Sequence, residues 1–100
     1  MELDLYLIDT LMRDLVRHDR SPASYLVYLY VYRQTHGEGR AAASISYAVL
    51  ADATGLSKRS VQTAVGRLVG RRLLRKRQAR PTSTPVYTAL TPWIRTRSRL

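Results

Sequence analysis

Residues 46–74, SYAVLADATGLSKRSVQTAVGRLVGRRLL, constrain the fold of this chain more than any other stretch, because capping residues, a turn signal and apolar spacing agree within them. Ser46 can cap a first helix whose inward residues are expected to be Val49, Leu50 and Ala53. Gly55 can adopt the left-handed conformation that ends this helix, and Ser57 can cap the next one. The stretch therefore predicts two helices joined by a tight turn.

The second of these helices, predicted over residues 57–70, divides into two faces. Its apolar residues recur at helical spacing: Val61, Ala64, Val65 and Leu68. The polar side chains are cations, hydroxyls and an amide, the groups that reach phosphates and base edges. They are Ser57, Lys58, Arg59, Ser60, Gln62, Thr63 and Arg67. An ordinary helical hairpin in a core is the alternative, but such a hairpin has no need of this polar set.

The pattern LAxxTGLSxxSVxxAVxxL over residues 50–68 resembles the helix-turn-helix of bacterial winged-helix DNA-binding domains, especially those of GntR-type regulators and of plasmid and phage replication initiators. The resemblance extends over about residues 22–90. It implies an α+β, mostly α fold, the winged helix-turn-helix, with a three-helix core and a β-hairpin wing. It also implies that residues 57–70 form a recognition helix in the major groove. The chain departs from the family pattern at two positions. Gly66 places a glycine inside the recognition helix, and Arg72 stands where the family usually has glycine.

Charge is distributed unevenly along the 100 residues, whose net charge is +10. Residues 1–50 hold 5 basic and 6 acidic side chains, whereas residues 51–100 hold 12 and 1. A strongly cationic half indicates a face that meets a polyanion. Nucleic acid is favoured over a membrane surface, because the cations do not lie opposite an apolar face on one long helix. We therefore expect double-stranded DNA, and no membrane, as a partner.

Residues 73–90 predict a β-hairpin, with strands over 73–77 and 86–90 and a turn rich in Pro, Thr and Ser over 78–85. A basic hairpin next to the recognition helix suits contact with the phosphate backbone or a minor groove. The candidate contacts are Arg75, Lys76, Arg77, Arg80, Thr82 and Ser83. The alternative is a solvated surface hairpin.

Two helices are predicted ahead of this region. Residues 2–18 form an amphipathic helix, and residues 22–34 form a helix that is apolar or aromatic nearly all round and therefore buried on most sides. The N-terminal helix either packs on its own domain or joins two copies into a homodimer. The candidate dimer contacts are Leu3, Leu7, Leu11, Leu15, Tyr28 and Tyr32. A homodimer implies a palindromic or inverted-repeat DNA site.

We expect three parts in the chain: an N-terminal helix over 1–20, a DNA-binding domain over 21–94 and a basic tail over 95–100. The chain has no cysteine, which excludes a disulfide framework and a thiolate metal site and fits a reducing compartment. It has no apolar run long enough to span a bilayer and no cationic signal-peptide start. A cytoplasmic, nucleoid-associated location in a prokaryote, plasmid or phage system is expected.

Enzyme signatures are absent from the sequence: it has no phosphate-binding glycine loop, no GxSxG and no HExxH. We expect no catalytic residues, no metal, no cofactor and no evident small-molecule effector. The expected function is sequence-specific binding of double-stranded DNA, as a transcriptional regulator or as a replication or partition protein. The alternatives are a winged-helix module that binds an acidic protein partner, and RNA binding.

Overall fold

The computed structural model describes residues 3–94 and is α+β and mostly helical, as expected. The predicted tail over 95–100 lies outside these residues. The N-terminal helical segment comprises two stretches, Leu7–Leu11 and Asp14–His18. It is followed by α1 (Pro22–Thr35), a 3-10 turn (His36–Glu38), β1 (Ala43–Ser44), α2 (Tyr47–Thr54), α3 (Lys58–Gly70), β2 (Leu74–Arg77) and β3 (Val86–Ala89). Within residues 3–94, no helix combines the length and the apolar character needed to cross a membrane.

The predicted pair of helices joined by a tight turn is confirmed in α2 and α3. The Ser46 hydroxyl accepts a hydrogen bond from the Val49 N–H at 3.1 Å, and the Ser57 hydroxyl accepts one from the Ser60 N–H at 3.0 Å. Between the two helices Gly55 has φ +78°, the left-handed conformation that ends α2. The predicted inward residues of α3 are all buried: Val61, Ala64, Val65 and Leu68. For α2 the prediction was right for Leu50 but wrong for Val49, which is 48% exposed, and for Ala53, because the helix packs through the side that carries Leu50, Ala51 and Thr54. Both ends of α2 and the start of α3 are thus set by residues within a few positions of them.

The C-terminal end of α3 closes without glycine. Arg72 has φ +60°, and its N–H donates to the Val69 carbonyl at 3.0 Å, while the Leu73 N–H donates to the Leu68 carbonyl at 2.9 Å. These two bonds satisfy carbonyls that the helix leaves unpaired, in a geometry that usually has glycine at the position of Arg72. An arginine therefore adopts the left-handed conformation at a position that favours glycine.

The three strands form an antiparallel sheet in the order β1-β3-β2. Tyr87 in the central strand lies opposite Ala43 of β1 and Lys76 of β2, and it is completely buried. The inner face of the sheet covers the helices, while Arg75 and Arg77 alternate onto the exposed face. The predicted hairpin is confirmed, and its two strands, β2 and β3, lie within the ranges expected for them.

The N-terminal helical segment has turns wider than the 3.6 residues of an α-helix, because its N–H groups donate five residues back, as from Met12 to Leu7. Residues four positions apart still share one side of the segment. One such row, Leu7, Leu11 and Leu15, is buried against the domain. The neighbouring row, Ile8, Met12 and Val16, remains 37–44% exposed. The segment therefore packs on its own chain with only one of its apolar rows.

This packing corrects the prediction about dimer contacts. Five of the six candidate residues are 0–6% exposed within their own chain: Leu7, Leu11, Leu15, Tyr28 and Tyr32. The reason is that α1 is apolar or aromatic on most sides and the N-terminal segment covers part of it. The Tyr25 hydroxyl donates to the Leu7 carbonyl at 2.8 Å across this contact. Only Leu3 keeps an exposed side chain.

The last described residues fold back onto the first. The ring of Trp93 stacks on that of Tyr6 with centroids 4.3 Å apart, and its Nε1 donates to the Asp4 Oδ2 atom at 2.8 Å. The Tyr28 hydroxyl donates to the Leu90 carbonyl at 2.8 Å. The N-terminal segment is thus part of the same folded unit as residues 21–94, and not a separate arm.

Candidate nucleic-acid interface

The exposed face of α3 carries five of the polar side chains that the sequence predicts as DNA contacts. They are Lys58, Arg59, Gln62, Thr63 and Arg67, and all are exposed. Within residues 3–94 none of these five side chains has a hydrogen-bond or ion-pair partner. The opposite face of the helix is buried in the core, so this set of donors is held on a rigid support.

Ser57 and Ser60 differ from those five residues. The Ser57 hydroxyl donates to the Ser60 hydroxyl at 3.0 Å, in addition to accepting from its N–H. Ser60 is half-buried and lines a groove of about 250 Å³ between the starts of α1 and α3, together with Ser21 and Ala23. Both serines therefore stabilise the start of α3, and Ser60 lies at the border of the exposed face.

The hairpin presents its cations on two different faces. Arg75 and Arg77 are exposed on the outer face. Lys76 is half-buried on the inner face, where its Nζ donates to the Tyr47 hydroxyl at 2.7 Å. The structure therefore removes Lys76 from the exposed cations of the predicted interface, because strand alternation turns it toward α2.

Gln78, which the sequence analysis did not single out, organises the tip of the hairpin. Its Nε2 donates to the Pro81 carbonyl at 3.2 Å and to the Ser83 carbonyl at 2.6 Å. The Ser83 N–H donates to the Arg80 carbonyl at 3.0 Å, closing a turn with proline at its second position. Arg80 and Thr82 are exposed at this tip, and Ser83 is half-buried. The sequence does show an amide side chain at the first position of the loop. It does not show which carbonyls that amide binds, because these depend on the path of the loop.

A second cationic area lies on the N-terminal segment. Arg13, Arg17 and Arg20 line an open cleft of about 620 Å³, together with Thr10, Asp14 and His18. The amphipathic pattern left this segment either packed on its own domain or in a dimer contact, and it predicted no ligand for the arginines. The available signal was the four-residue spacing of Arg13 and Arg17, which places them on one side of the helix.

Comparisons of the chain with family models, with curated proteins and with solved structures found no match. Its function is therefore inferred from its own residues and their geometry.

Beside the cleft, Arg71 at the end of α3 binds two carboxylates. Its Nη2 lies 2.7 Å from the Asp14 Oδ2, and its Nη1 pairs with Asp19. Burial acts to raise the pKa of Asp19, but hydrogen bonds from His18 and Arg71 outweigh it and hold this pKa below its ordinary value. Asp14, His18 and Asp19 also bring possible ligand atoms within 4.8 Å of one another. Because the guanidinium of Arg71 already binds both carboxylates, this cluster is a salt-bridge network.

Proposed function

We propose that this protein binds double-stranded DNA in a sequence-specific manner, as a winged helix-turn-helix domain with α3 in the major groove. The observation that carries the proposal is the exposed face of α3, where five polar side chains have no partner within residues 3–94. Cations, an amide and a hydroxyl together provide the donors and acceptors that base edges and phosphates require.

The order of the elements supports this proposal. The helices α2 and α3 follow β1, and the hairpin β2–β3 follows α3, with β3 in the middle of the sheet. This is the arrangement expected for a three-helix core with a β-hairpin wing. The wing presents Arg75 and Arg77 on its outer face and Arg80 at its tip. These arginines supply contacts to the DNA backbone beside the groove that α3 occupies.

Different side chains of α3 have different roles in the proposal. Arg59 and Gln62 suit bidentate contacts, to guanine and to adenine respectively, and Thr63 suits a hydroxyl or methyl contact. Lys58 and Arg67 bind phosphates. The biological role is that of a transcriptional regulator or of a replication or partition protein, associated with the nucleoid of a prokaryote, plasmid or phage.

The proposal includes a homodimer, but its contact surface is formed by other residues than those predicted from the sequence. The apolar surface that the N-terminal segment leaves uncovered is the row Ile8, Met12 and Val16. Removal of residues 1–19 is a poor test, because it would take three buried leucines out of the core. Sedimentation velocity of the full chain and of Met12→Glu is a better one: the dimer predicts a halved mass for the variant at the same concentration. An unchanged monomer mass in both would exclude the dimer.

The function itself is tested by selecting bound sequences from a random duplex DNA pool, followed by competition at moderate salt. Wild-type protein should enrich a defined site, and Arg59→Ala should lose part of that preference. Arg33→Ala is the matched control, since Arg33 is an exposed arginine paired with Glu38 at the far end of α1. Uniform binding of all duplexes, or no binding, would overturn the proposal. Stronger binding of RNA, or of an acidic protein in place of DNA, would favour the two alternatives.

A further inference from the structure

The cleft on the N-terminal segment has the charge of an anion site. Arg13 and Arg17 lie one turn apart, Arg20 follows at the end of the segment, and all three are exposed. Within residues 3–94 none of the three guanidinium groups has an ion-pair or hydrogen-bond partner. They are therefore available to an anion, unlike Arg71 beside them.

The acidic groups near the cleft are largely neutralised. Asp14 and Asp19 both bind Arg71, and Asp19 also accepts from His18 at 3.2 Å. Four arginines against these two aspartates leave a net charge of +2 with His18 neutral. The remaining nearby carboxylate, Asp9, is exposed one turn before Arg13, and counting it leaves a net charge of +1. The cleft is therefore positive, and its charge faces solvent.

The cleft continues the exposed face of α3. Arg71 follows Arg67 by one turn of that helix, and it binds Asp14 in the wall of the cleft. At the other end of α3, Arg59 and Thr63 share a groove with Ser21, which directly follows Arg20. The chain from His18 to Ser21 thus lies along the side of α3, between the cleft and the side chains proposed to read bases.

We propose that this cleft binds phosphates of the DNA strand that flanks the groove occupied by α3. The inference rests on the proposed function and extends its interface to the N-terminal segment. A polyanion fits better than a small ligand, because the cleft is open along the surface and its arginines are exposed. The segment then has two roles: its buried row completes the core, and its charged row contacts the DNA backbone.

The test compares two double variants that remove equal charge. Arg13→Gln with Arg17→Gln removes two cations of the cleft. Arg33→Gln with Arg40→Gln removes two exposed cations at and just after the C-terminal end of α1, whereas the chain from His18 to Ser21 leads into its N-terminal end. Both variants carry a net charge of +8, two below the wild-type +10. Binding to the selected duplex is measured as a function of salt, and phosphate ethylation interference locates the contacts.

The cleft variant should make the dependence of log K on log salt less steep. The magnitude of the negative slope should fall by about 1.8, since each lost phosphate contact contributes about 0.9. The variant should also lose ethylation interference outside the stretch read by α3, with its preferred sequence unchanged. The control should change neither the slope nor the interference pattern. Equal slopes and equal patterns in the two variants would overturn the inference.

These outcomes separate the inference from the proposed function. If the cleft variant matches the control while Arg59→Ala loses sequence preference, the function stands and the inference falls. If the wild type binds no duplex, both fall. Pyrophosphate provides a further arm: saturable NMR shifts of the Arg13 and Arg17 Nε–H groups at micromolar pyrophosphate, with unchanged ethylation interference in the cleft variant, would assign the cleft to a free phosphate ligand and overturn the DNA contact.

Discussion

Arg71 donates a hydrogen bond from its Nη2 to the Oδ2 atom of Asp14 at 2.7 Å, across 57 positions of the chain. The same guanidinium binds Asp19, whose side chain is only 9% exposed. The contact joins the C-terminal end of α3 to the N-terminal helical segment. It therefore couples the position of the proposed recognition helix to the cationic cleft.

Replacing Arg71 with alanine should destabilise the protein by about 1 kcal/mol. The effect is modest because Arg71 is 37% exposed, which lets solvent screen the ion pair. It is measurable because the variant leaves the nearly buried Asp19 without its main cation. Urea unfolding measures the change. Arg33→Ala removes a pair that is exposed on both sides and should leave the stability close to that of wild type. Equal losses in the two variants would contradict a special role for the Arg71 network.

The stability contributed by Asp19 should depend on pH on the acid side. Its pKa in the folded state lies below the ordinary 3.8, so its ionised form stabilises the fold above that value. This contribution decreases as the pH falls through the folded-state pKa, because both states are then protonated. Urea unfolding between pH 7 and pH 3 should show Asp19→Asn less stable than wild type at neutral pH, with the difference shrinking below about pH 4. A difference that is constant with pH would argue against the ion pair.

Gly66→Ala should stabilise the protein by up to about 1 kcal/mol, because glycine is unfavourable inside a helix. A Cβ atom at this position would meet no other atom within 4 Å, so the methyl group has room. Thermal or urea unfolding gives the sign. Gly55→Ala is the matched control and should destabilise, since Gly55 has φ +78°. Destabilisation by Gly66→Ala would mean that a neighbour packs closely there after all.

Arg72→Gly should be more stable than Arg72→Ala by about 1 kcal/mol. Both variants remove the cation, but only glycine adopts the left-handed φ of +60° without strain. The difference between their urea midpoints thus isolates the backbone effect from any loss of charge. Equal stabilities would show that α3 ends in another conformation when the arginine is absent.

Arg59→Ala and Arg77→Ala should affect DNA binding in different ways. Loss of Arg59 should relax specificity at one base position by about 1–3 kcal/mol, because a bidentate base contact is removed. Loss of Arg77 should weaken binding to all sequences alike. It should also reduce the magnitude of the slope of log K against log salt by about one. Competition binding with single-base variants of the selected site, repeated at several salt concentrations, separates the two. Similar effects from both variants would contradict the division into base reading by α3 and backbone contact by the hairpin.

The sequence alone determined the elements whose causes are local. Ser46 and Ser57 cap their helices through N–H groups three positions away, and Gly55 ends α2 through its own backbone conformation. The polar face of α3 follows from helical periodicity once its buried residues are known. Such features depend on neighbouring residues, so a single sequence carries them.

Only the tertiary structure decided which surfaces meet. An amphipathic pattern requires that Leu7, Leu11 and Leu15 be buried, but their own domain and a second copy satisfy that requirement equally well. In the structure their own chain buries them. The direction of Lys76 toward Tyr47 depends on where the sheet packs. The pairing of Arg71 with Asp14 and Asp19 depends on how the C-terminal end of α3 packs against the N-terminal helical segment. Hydrophobic burial is non-directional, so residue order predicts that a face will be covered, and three-dimensional packing selects the partner.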